Sequence, residues 1–132
     1  MNLCLYYPGL GYYAGNTVRV GKEGDFYTSA HLGGWMGKML AKTIARIEQS
    51  LGAADEPLLL AEWGGGTGEL AVQVMDELRV SFPAVYDLMT FISVEASPAH
   101  RARQMERLGE HAAKTVWLKS DQWEESANGF AR

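Results

Sequence analysis

One stretch of the sequence decides the fold: Leu58-Leu59-Leu60-Ala61-Glu62-Trp63-Gly64-Gly65-Gly66-Thr67-Gly68-Glu69-Leu70-Ala71. An apolar run ends in a carboxylate, a turn dense in glycine follows at once, and a helical pattern starts directly after it. This order is typical of a buried strand, a tight loop and a helix N-terminus, which together open a nucleotide-type βαβ unit. Glycines at alternating positions let the backbone turn sharply and let a ligand approach without meeting a Cβ atom.

The patterns on both sides of this stretch alternate between helix and strand. Apolar residues recur at three- and four-residue steps over about residues 30–51, which predicts a helix that Ser29 caps and Gly52 ends. The other predicted elements are strand 58–63, helix 66–80, strand 89–95, helix 98–108 and strand 115–118. Alternation of this kind predicts an α/β fold with a parallel sheet, right-handed crossovers and a ligand beyond the carboxyl ends of the strands.

The composition is that of one ordinary globular domain. The chain has 132 residues, of which 47% are apolar and 21% are charged, and its net charge is −4. An acidic balance argues against a protein that binds nucleic acid or an anionic membrane by bulk charge. Cys4 is the only cysteine, and no apolar run approaches the roughly 20 residues of a membrane helix. A cytoplasmic protein without intrachain disulfides is therefore expected.

Two regions of different character divide the chain. Residues 1–29 are rich in glycine, tyrosine and turn formers, which predicts an irregular N-terminal arm that acts as a lid or binding loop. Residues 30–132 carry the alternating pattern and are predicted to form the N-terminal half of a Rossmann-like domain. The cluster of basic residues over 100–107 lies in a helical pattern and is expected to be a solvated helix face.

Two classes of cofactor compete for the glycine loop. The dinucleotide fingerprint G-x-G-x-x-G/A fits Gly66, Gly68 and Ala71, whereas the loop E/D-x-G-x-G-x-G, typical of S-adenosylmethionine sites, fits Glu62, Gly64, Gly66 and Gly68. A dinucleotide places an anionic pyrophosphate at this point, where the carboxylate of Glu62 would repel it. S-adenosylmethionine carries a cationic ammonium and sulfonium instead, so the charge favours this cofactor. A structural turn without a ligand is the third alternative.

The ends of the next two strands extend the predicted cofactor site. Glu95 ends the second strand, where a carboxylate can accept hydrogen bonds from both ribose hydroxyls or can be a partner for the N-terminus of the next helix. Asp121 and Gln122 follow the third strand and are either contacts of the adenine amino edge or exposed loop residues. The predicted cofactor contacts in this part of the chain are Glu62, Gly64, Gly65, Gly66, Thr67, Gly68, Glu95, Ala96, Asp121 and Gln122. The sequence identifies no catalytic base and predicts no metal site.

Four blocks of sequence occur in the same order as in a known protein family. They are Leu5 to Tyr13, Gly24 to Ser29, Glu62 to Gly68, and Val94 to Pro98 with Arg101 and Gln104. Together they resemble the MidA-like methyltransferases, relatives of the mitochondrial complex I assembly arginine methyltransferase. The resemblance implies a three-layer, Rossmann-like class I S-adenosylmethionine-dependent methyltransferase that acts on a protein side chain such as arginine. It also makes Asp25, Phe26 and Thr28 candidate lid contacts of the cofactor.

The chain departs from that family in two ways. Ala30-His31 stand where the family usually has Pro-Glu, and Met36-Gly37 stand where it has Phe-Gly. In addition, the family sheet has seven strands, in the order 3-2-1-4-5-7-6, and only the first three are predicted here. The first strand would then be a sheet edge, although its apolar sequence is typical of a central strand.

An exposed apolar edge invites pairing with another chain. We therefore expect either a truncated form of a longer enzyme or an assembly, including self-association, in which a second chain covers this strand. The isolated chain is expected to be catalytically inactive. Two other functions remain open: a fragment of an NAD(P)-dependent oxidoreductase, and a non-catalytic binding or assembly module with the same fold.

Overall fold

A computed structural model describes Leu10, residues 34–52, residues 57–123 and Ser126. The predicted arm over residues 1–29 lies, apart from Leu10, outside the described residues. The elements in chain order are α1 (Trp35–Leu51), β1 (Leu58–Trp63), α2 (Glu69–Ser81), α3 (Pro83–Leu88), β2 (Met89–Val94), α4 (Pro98–Leu108), a 3-10 helix (Gly109–Lys114) and β3 (Thr115–Leu118).

The three strands form a parallel sheet in the order β1-β2-β3. Leu58 lies opposite Met89, and Phe91 lies opposite Thr115. Because successive strands are added in one direction, right-handed crossovers place α2 and α4 on the same face of the sheet, where the two helices contact each other. The predicted parallel α/β sheet is confirmed, with one helical layer of the expected three-layer arrangement seen among the described residues.

The helix α1 differs from its prediction at its start and in its buried face. Its N-cap is Gly34, in the left-handed region at φ 75°, so the predicted start near residue 30 with Ser29 as the cap is wrong. Gly52 ends the helix as predicted, at φ 63°. The α1 residues that are buried against α2 are small and lie in a row along the helix: Gly37, Ala41 and Ala45. Several large apolar residues of the predicted stripe and its neighbours are exposed instead, namely Trp35, Met39, Leu40, Ile47 and Leu51.

One short helix directly precedes β2, and a 3-10 helix directly follows α4. Phe82 ends α2, and Pro83 then opens α3, which the sequence did not predict. Proline suits this first helical position because its fixed φ is helical and its missing N–H group would have had no helical partner. The 3-10 helix between α4 and β3 was also not predicted.

The helix α4 has a serine cap, and its basic cluster is only partly solvated. Ser97 is the N-cap, and its hydroxyl accepts a hydrogen bond from the backbone N–H of His100. Arg103 and Arg107 form ion pairs with glutamates, as expected of a surface helix. His100 and Gln104, however, are buried on a neighbouring face of α4. The cluster is therefore a solvated face beside a polar, buried one.

The main core lies between α1, α2 and the sheet. Its fully buried large residues include Met75 and Leu78 from α2 and Met89 from β2. At the amino end of β2, the imidazole of His111 is hydrogen-bonded through Nδ1 to Tyr86 Oη at 2.8 Å and through Nε2 to Asp76 Oδ1 at 3.0 Å. This network ties α2, α3 and the 3-10 helix together at the end of the sheet opposite the glycine loop. None of the described helices has the length and apolarity needed to cross a membrane.

Candidate cofactor site

The glycine loop between β1 and α2 adopts a conformation that only one of the two motif registers explains. Gly64, Gly66 and Gly68 all have positive φ, at 63°, 57° and 80°. A side chain at any of these positions would be strained, because L-residues other than glycine rarely adopt this region. The dinucleotide register begins at Gly66 and leaves the left-handed Gly64 unexplained; its third position, Ala71, is buried inside α2, as either register allows. The loop therefore follows the E-x-G-x-G-x-G register.

Backbone hydrogen bonds fix the loop to the sheet and to itself. The N–H of Gly64 donates to the carbonyl of Val94 at 2.9 Å, so the loop leaves β1 from a point still paired with β2. The N–H of Gly68 donates to the carbonyl of Gly65 at 3.0 Å and closes the turn before α2. This arrangement brings the loop and the carboxyl end of β2 to the same edge of the sheet, where a Rossmann-like fold binds its ligand.

The carboxylate of Glu62 lies directly against the glycine loop. A Cβ atom built on Gly65 would lie 2.3 Å from Glu62 Oε2, so a side chain at this position would displace the carboxylate from its place against the loop. Burial raises the pKa of Glu62, and the nearby negative charge of Glu95 raises it further. Two carboxylates therefore share the cofactor end of the sheet, and they make that end suited to a cationic ligand.

The structure shows one of the two roles predicted for Glu95. Its side chain is buried, and Oε1 accepts a hydrogen bond of 2.8 Å from the N–H of Ser97, at the start of α4. The second oxygen, Oε2, lies 3.6 Å from His100 Nδ1. The role as a partner of the helix N-terminus is thus present in the structure. An ionised carboxylate has about four acceptor sites, so this role leaves capacity for ribose hydroxyls.

Gln104 is a residue of the site to which the sequence assigned no role. Its side-chain Nε2 donates to the carbonyl of Gly66 at 2.9 Å. Its Oε1 accepts from Ser93 Oγ at 2.6 Å and from Trp117 Nε1 at 3.1 Å. One buried amide thereby links the glycine loop to β2 and β3. The available signal was its position four residues after His100, on the buried face of an otherwise charged helix.

The other predicted contacts lie around this edge with different exposure. Thr67 is buried within the loop, and Ala96 is exposed just beyond β2. Asp121 and Gln122 lie exposed beyond β3, where Gln122 Oε1 accepts from the N–H of Lys119 at 2.9 Å and Asp121 Oδ1 accepts from the N–H of Gln122 at 3.0 Å. Both side chains thus bond to local backbone, as in a helix N-terminal capping turn.

The lid candidates Asp25, Phe26 and Thr28 lie outside the described residues. Trp63 and Trp123 contact each other edge to face with ring centroids 4.6 Å apart. This pair joins the end of β1 to the segment after β3. No group of three or more His, Cys, Asp or Glu in the described part of the chain could hold a metal ion.

Comparison with known proteins identifies the family. Residues 39–131 match the family model described as "Putative S-adenosyl-L-methionine-dependent methyltransferase". The chain belongs to this family. The charge and loop geometry of the site agree with that assignment, because S-adenosylmethionine is the family's cofactor and needs no phosphate cradle.

Two crystal structures of one superfamily, both from Burkholderia thailandensis, are similar to this methyltransferase-family chain. The first is described as a "likely methyl transferase" bound to S-adenosyl-homocysteine; it matches with a TM-score of 0.69 and 31% identity over 90% of this chain and 31% of that one. The second, an uncharacterised protein in its native form, matches with a TM-score of 0.58 and 31% identity over 90% of this chain and 29% of that one. The chain therefore spans about a third of the length of these solved relatives, and the likeness supports a Rossmann-like methyltransferase fold.

Proposed function

We propose that this chain is the cofactor-binding part of a cytoplasmic, MidA-like methyltransferase that transfers a methyl group from S-adenosylmethionine to a protein side chain such as arginine. One observation carries the proposal: a loop with three left-handed glycines lies against the carboxylate of Glu62, with Glu95 close to that carboxylate, in the register typical of this cofactor. The match to a solved relative that holds S-adenosyl-homocysteine supports it.

The charges at the loop distinguish this cofactor from a dinucleotide. A pyrophosphate at the loop would meet the carboxylate of Glu62 beside Gly65, whereas a carboxylate at the position of Glu95 suits the ribose of either cofactor. S-adenosylmethionine brings an ammonium to the same place and so relieves the repulsion between these two groups. When bound, the cofactor supplies an electrophilic methyl carbon on a sulfonium, and the residues of this chain hold it in position.

The acceptor part of the proposal depends on sequence blocks rather than on contacts. The blocks around Glu62 to Gly68 and Val94 to Pro98 resemble the MidA-like family, whose mitochondrial relative modifies an arginine. Carboxylates that orient a guanidinium would then lie in the parts of the relatives that this chain does not span. The isolated chain is therefore expected to bind the cofactor without transferring its methyl group.

Calorimetry with S-adenosylhomocysteine tests the cofactor assignment. We expect the wild-type chain to bind this ligand and the variant Glu95→Gln to bind it more weakly by about 1–3 kcal/mol, because hydrogen bonds to a charged acceptor are lost. The glutamine keeps an oxygen that can accept from the N–H of Ser97, so α4 keeps its N-terminal partner. Arg103 forms an exposed ion pair with Glu106 on the same helix. The variant Arg103→Ala is therefore the matched control and should leave the affinity unchanged.

Titration with NADH in the same calorimeter separates the competing enzyme class. Binding of NADH in preference to S-adenosylhomocysteine would reject the methyltransferase proposal in favour of the oxidoreductase. Equal affinity of wild type and Glu95→Gln would reject the ribose contact. Binding without any turnover in a polypeptide that also contains the remaining strands would instead identify a non-catalytic module.

The partner proposal concerns the edge of the sheet. Within the described residues β1 pairs with β2 alone, and Leu59 on this edge strand is 39% exposed. We expect a second copy of the chain to pair with this edge, so that sedimentation shows a dimer fraction rising with concentration. A charged lysine blocks such pairing, and Leu59→Lys should therefore raise the dissociation constant about tenfold, equivalent to about 1.4 kcal/mol.

The control for this measurement is Val80→Lys, at an apolar α2 residue that is 77% exposed and outside the sheet edge. It should leave the dimer fraction near that of the wild type. A wild type that stays monomeric at high concentration, or an equal effect of both lysines, would argue that no second copy covers β1.

A further inference from the structure

We infer that Gln104 is a positioning residue that holds the glycine loop in its cofactor-binding shape; this inference rests on the proposed function. Gln104 lies on α4, away from the loop in sequence, and is 2% exposed. Its amide nitrogen donates to the carbonyl of Gly66, the central glycine of the three with positive φ. It therefore acts on the cofactor through the loop and not by direct contact.

The partners of Gln104 require an amide at this position. The carbonyl of Gly66 can only accept a hydrogen bond, whereas the indole N–H of Trp117 can only donate one. A single side chain that serves both must carry a donor and an acceptor on one rigid group. The amide oxygen must therefore face Trp117, where Ser93 Oγ also donates to it at 2.6 Å, and the amide nitrogen must face Gly66.

The stem of the same side chain supports the loop at a second point. A Cβ atom built on Gly68 would lie 3.1 Å from Gln104 Cγ and 3.5 Å from its Cα. The backbone of α4 at this residue is thus packed against the last glycine of the loop. Gln104 contacts both Gly66 and Gly68, and it connects them to the central strand through Ser93.

This arrangement has a consequence for binding. Each left-handed glycine can adopt many other conformations, so the free loop gains entropy if nothing restrains it. A loop fixed by Gln104 before the ligand arrives avoids that ordering cost at the moment of binding. Loss of the amide should therefore weaken cofactor binding more than it weakens the rest of the fold.

Two variants separate loop positioning from simple stability. Gln104→Met keeps an apolar stem against Gly68 and removes the amide, while Gln104→Glu keeps an acceptor for Ser93 and Trp117 but, when ionised, cannot donate to Gly66. For whichever variant is folded by circular dichroism, we expect the affinity for S-adenosylhomocysteine to fall about tenfold or more. The control Arg103→Ala lies on the exposed face of the same helix, outside the hydrogen bonds of Gln104, and should stay within about twofold of wild type.

Hydrogen exchange without ligand provides a readout that a merely structural role would not produce. The N–H of Gly68, which donates to Gly65, should exchange about tenfold faster in the Gln104 variants, while amides of β2 keep their protection. Equal acceleration in both places, or failure of both variants to fold while Arg103→Ala folds, would assign the amide to the fold and overturn the inference.

The two proposals can fail separately. If the wild type does not bind S-adenosylhomocysteine, the proposed function fails, and the exchange of Gly68 still decides whether Gln104 holds the loop. If the wild type binds and a folded Gln104 variant binds equally well with unchanged exchange at Gly68, the role of Gln104 is rejected and the cofactor assignment stands.

Discussion

Replacing Gly37 with alanine should destabilise the chain by about 1–3 kcal/mol, because the added atom has no space. Its Cβ would lie 2.3 Å from Gln73 Cβ and 2.9 Å from the backbone carbonyl carbon of Gln73. An alanine within an open helix would instead stabilise by up to about 1 kcal/mol. The sign of the change therefore reports how closely α1 and α2 approach, and urea unfolding measures it.

A double-mutant cycle identifies the contact responsible. Gln73→Gly removes the atom nearest the new methyl group, so part of the cost of Gly37→Ala should be recovered in the double variant, with a coupling energy of about 0.5–3 kcal/mol. The exposed neighbour Lys38→Ala is the matched control and should change stability by less than about 0.5 kcal/mol. A stabilising effect of Gly37→Ala would show that α1 and α2 are further apart than the structure places them.

This small-residue contact also shows what periodicity can and cannot predict. Residues 30–51 have a clear helical period, and the helix α1 exists, but its large apolar residues did not indicate the face that packs on α2. Gly37, Ala41 and Ala45 are buried because small side chains let two helices approach closely. Hydrophobicity identifies an amphipathic helix, whereas the neighbour that the helix meets depends on the tertiary fold.

The strands and the glycine loop were predictable because their signals are local. An apolar run that ends in Trp63 and a glycine-dense turn are both contained in a few residues, and the structure has β1 at the predicted positions. The helix α2 starts at Glu69 and not at the predicted residue 66, because Gly68 has a left-handed conformation. The helix α3 and the 3-10 helix were missed because six residues are too few to show a period.

The role of Gln104 could not be predicted for a different reason. Its partner Gly66 is 38 residues away in sequence, and Ser93 and Trp117 are 11 and 13 residues away. Contacts of this kind arise only when β1, β2, β3 and α4 have been brought to one edge of the sheet. The motif predicted which residues form the loop, and the fold determines which residue restrains it.

Replacing Glu62 with glutamine should stabilise the ligand-free chain above the usual glutamate pKa and weaken its binding of S-adenosylhomocysteine. The pKa of Glu62 is raised above its ordinary value of 4.5 by burial and then by the charge of Glu95. An acid whose pKa is raised by folding contributes stability below its unfolded pKa and loses that contribution as the pH rises through the folded value. Glutamine has no proton to lose, so its advantage should appear only in that upper range.

Thermal unfolding at a series of pH values measures the first half of this prediction. Wild type and Glu62→Gln should converge in Tm at acidic pH, where both side chains are neutral, and diverge in favour of the variant as the pH rises. Exposed Glu106→Gln on α4 is the control and should follow the wild type at each pH. A variant less stable than wild type near neutral pH would show that the ionised carboxylate has a stabilising partner at the loop.

The affinity should change in the opposite direction with pH. Binding of a ligand that carries an ammonium favours the ionised form of Glu62, so the affinity of the wild type should rise as the pH rises through the raised pKa. In Glu62→Gln this rise should be absent and the affinity near neutral pH lower, as calorimetry over the same pH series would detect. Parallel pH profiles of affinity in the two proteins would show that Glu62 does not interact with the ligand's ammonium. Opposite changes in stability and affinity would instead show that the repulsion between Glu62 and Glu95 costs the free protein stability and is relieved by the cationic cofactor.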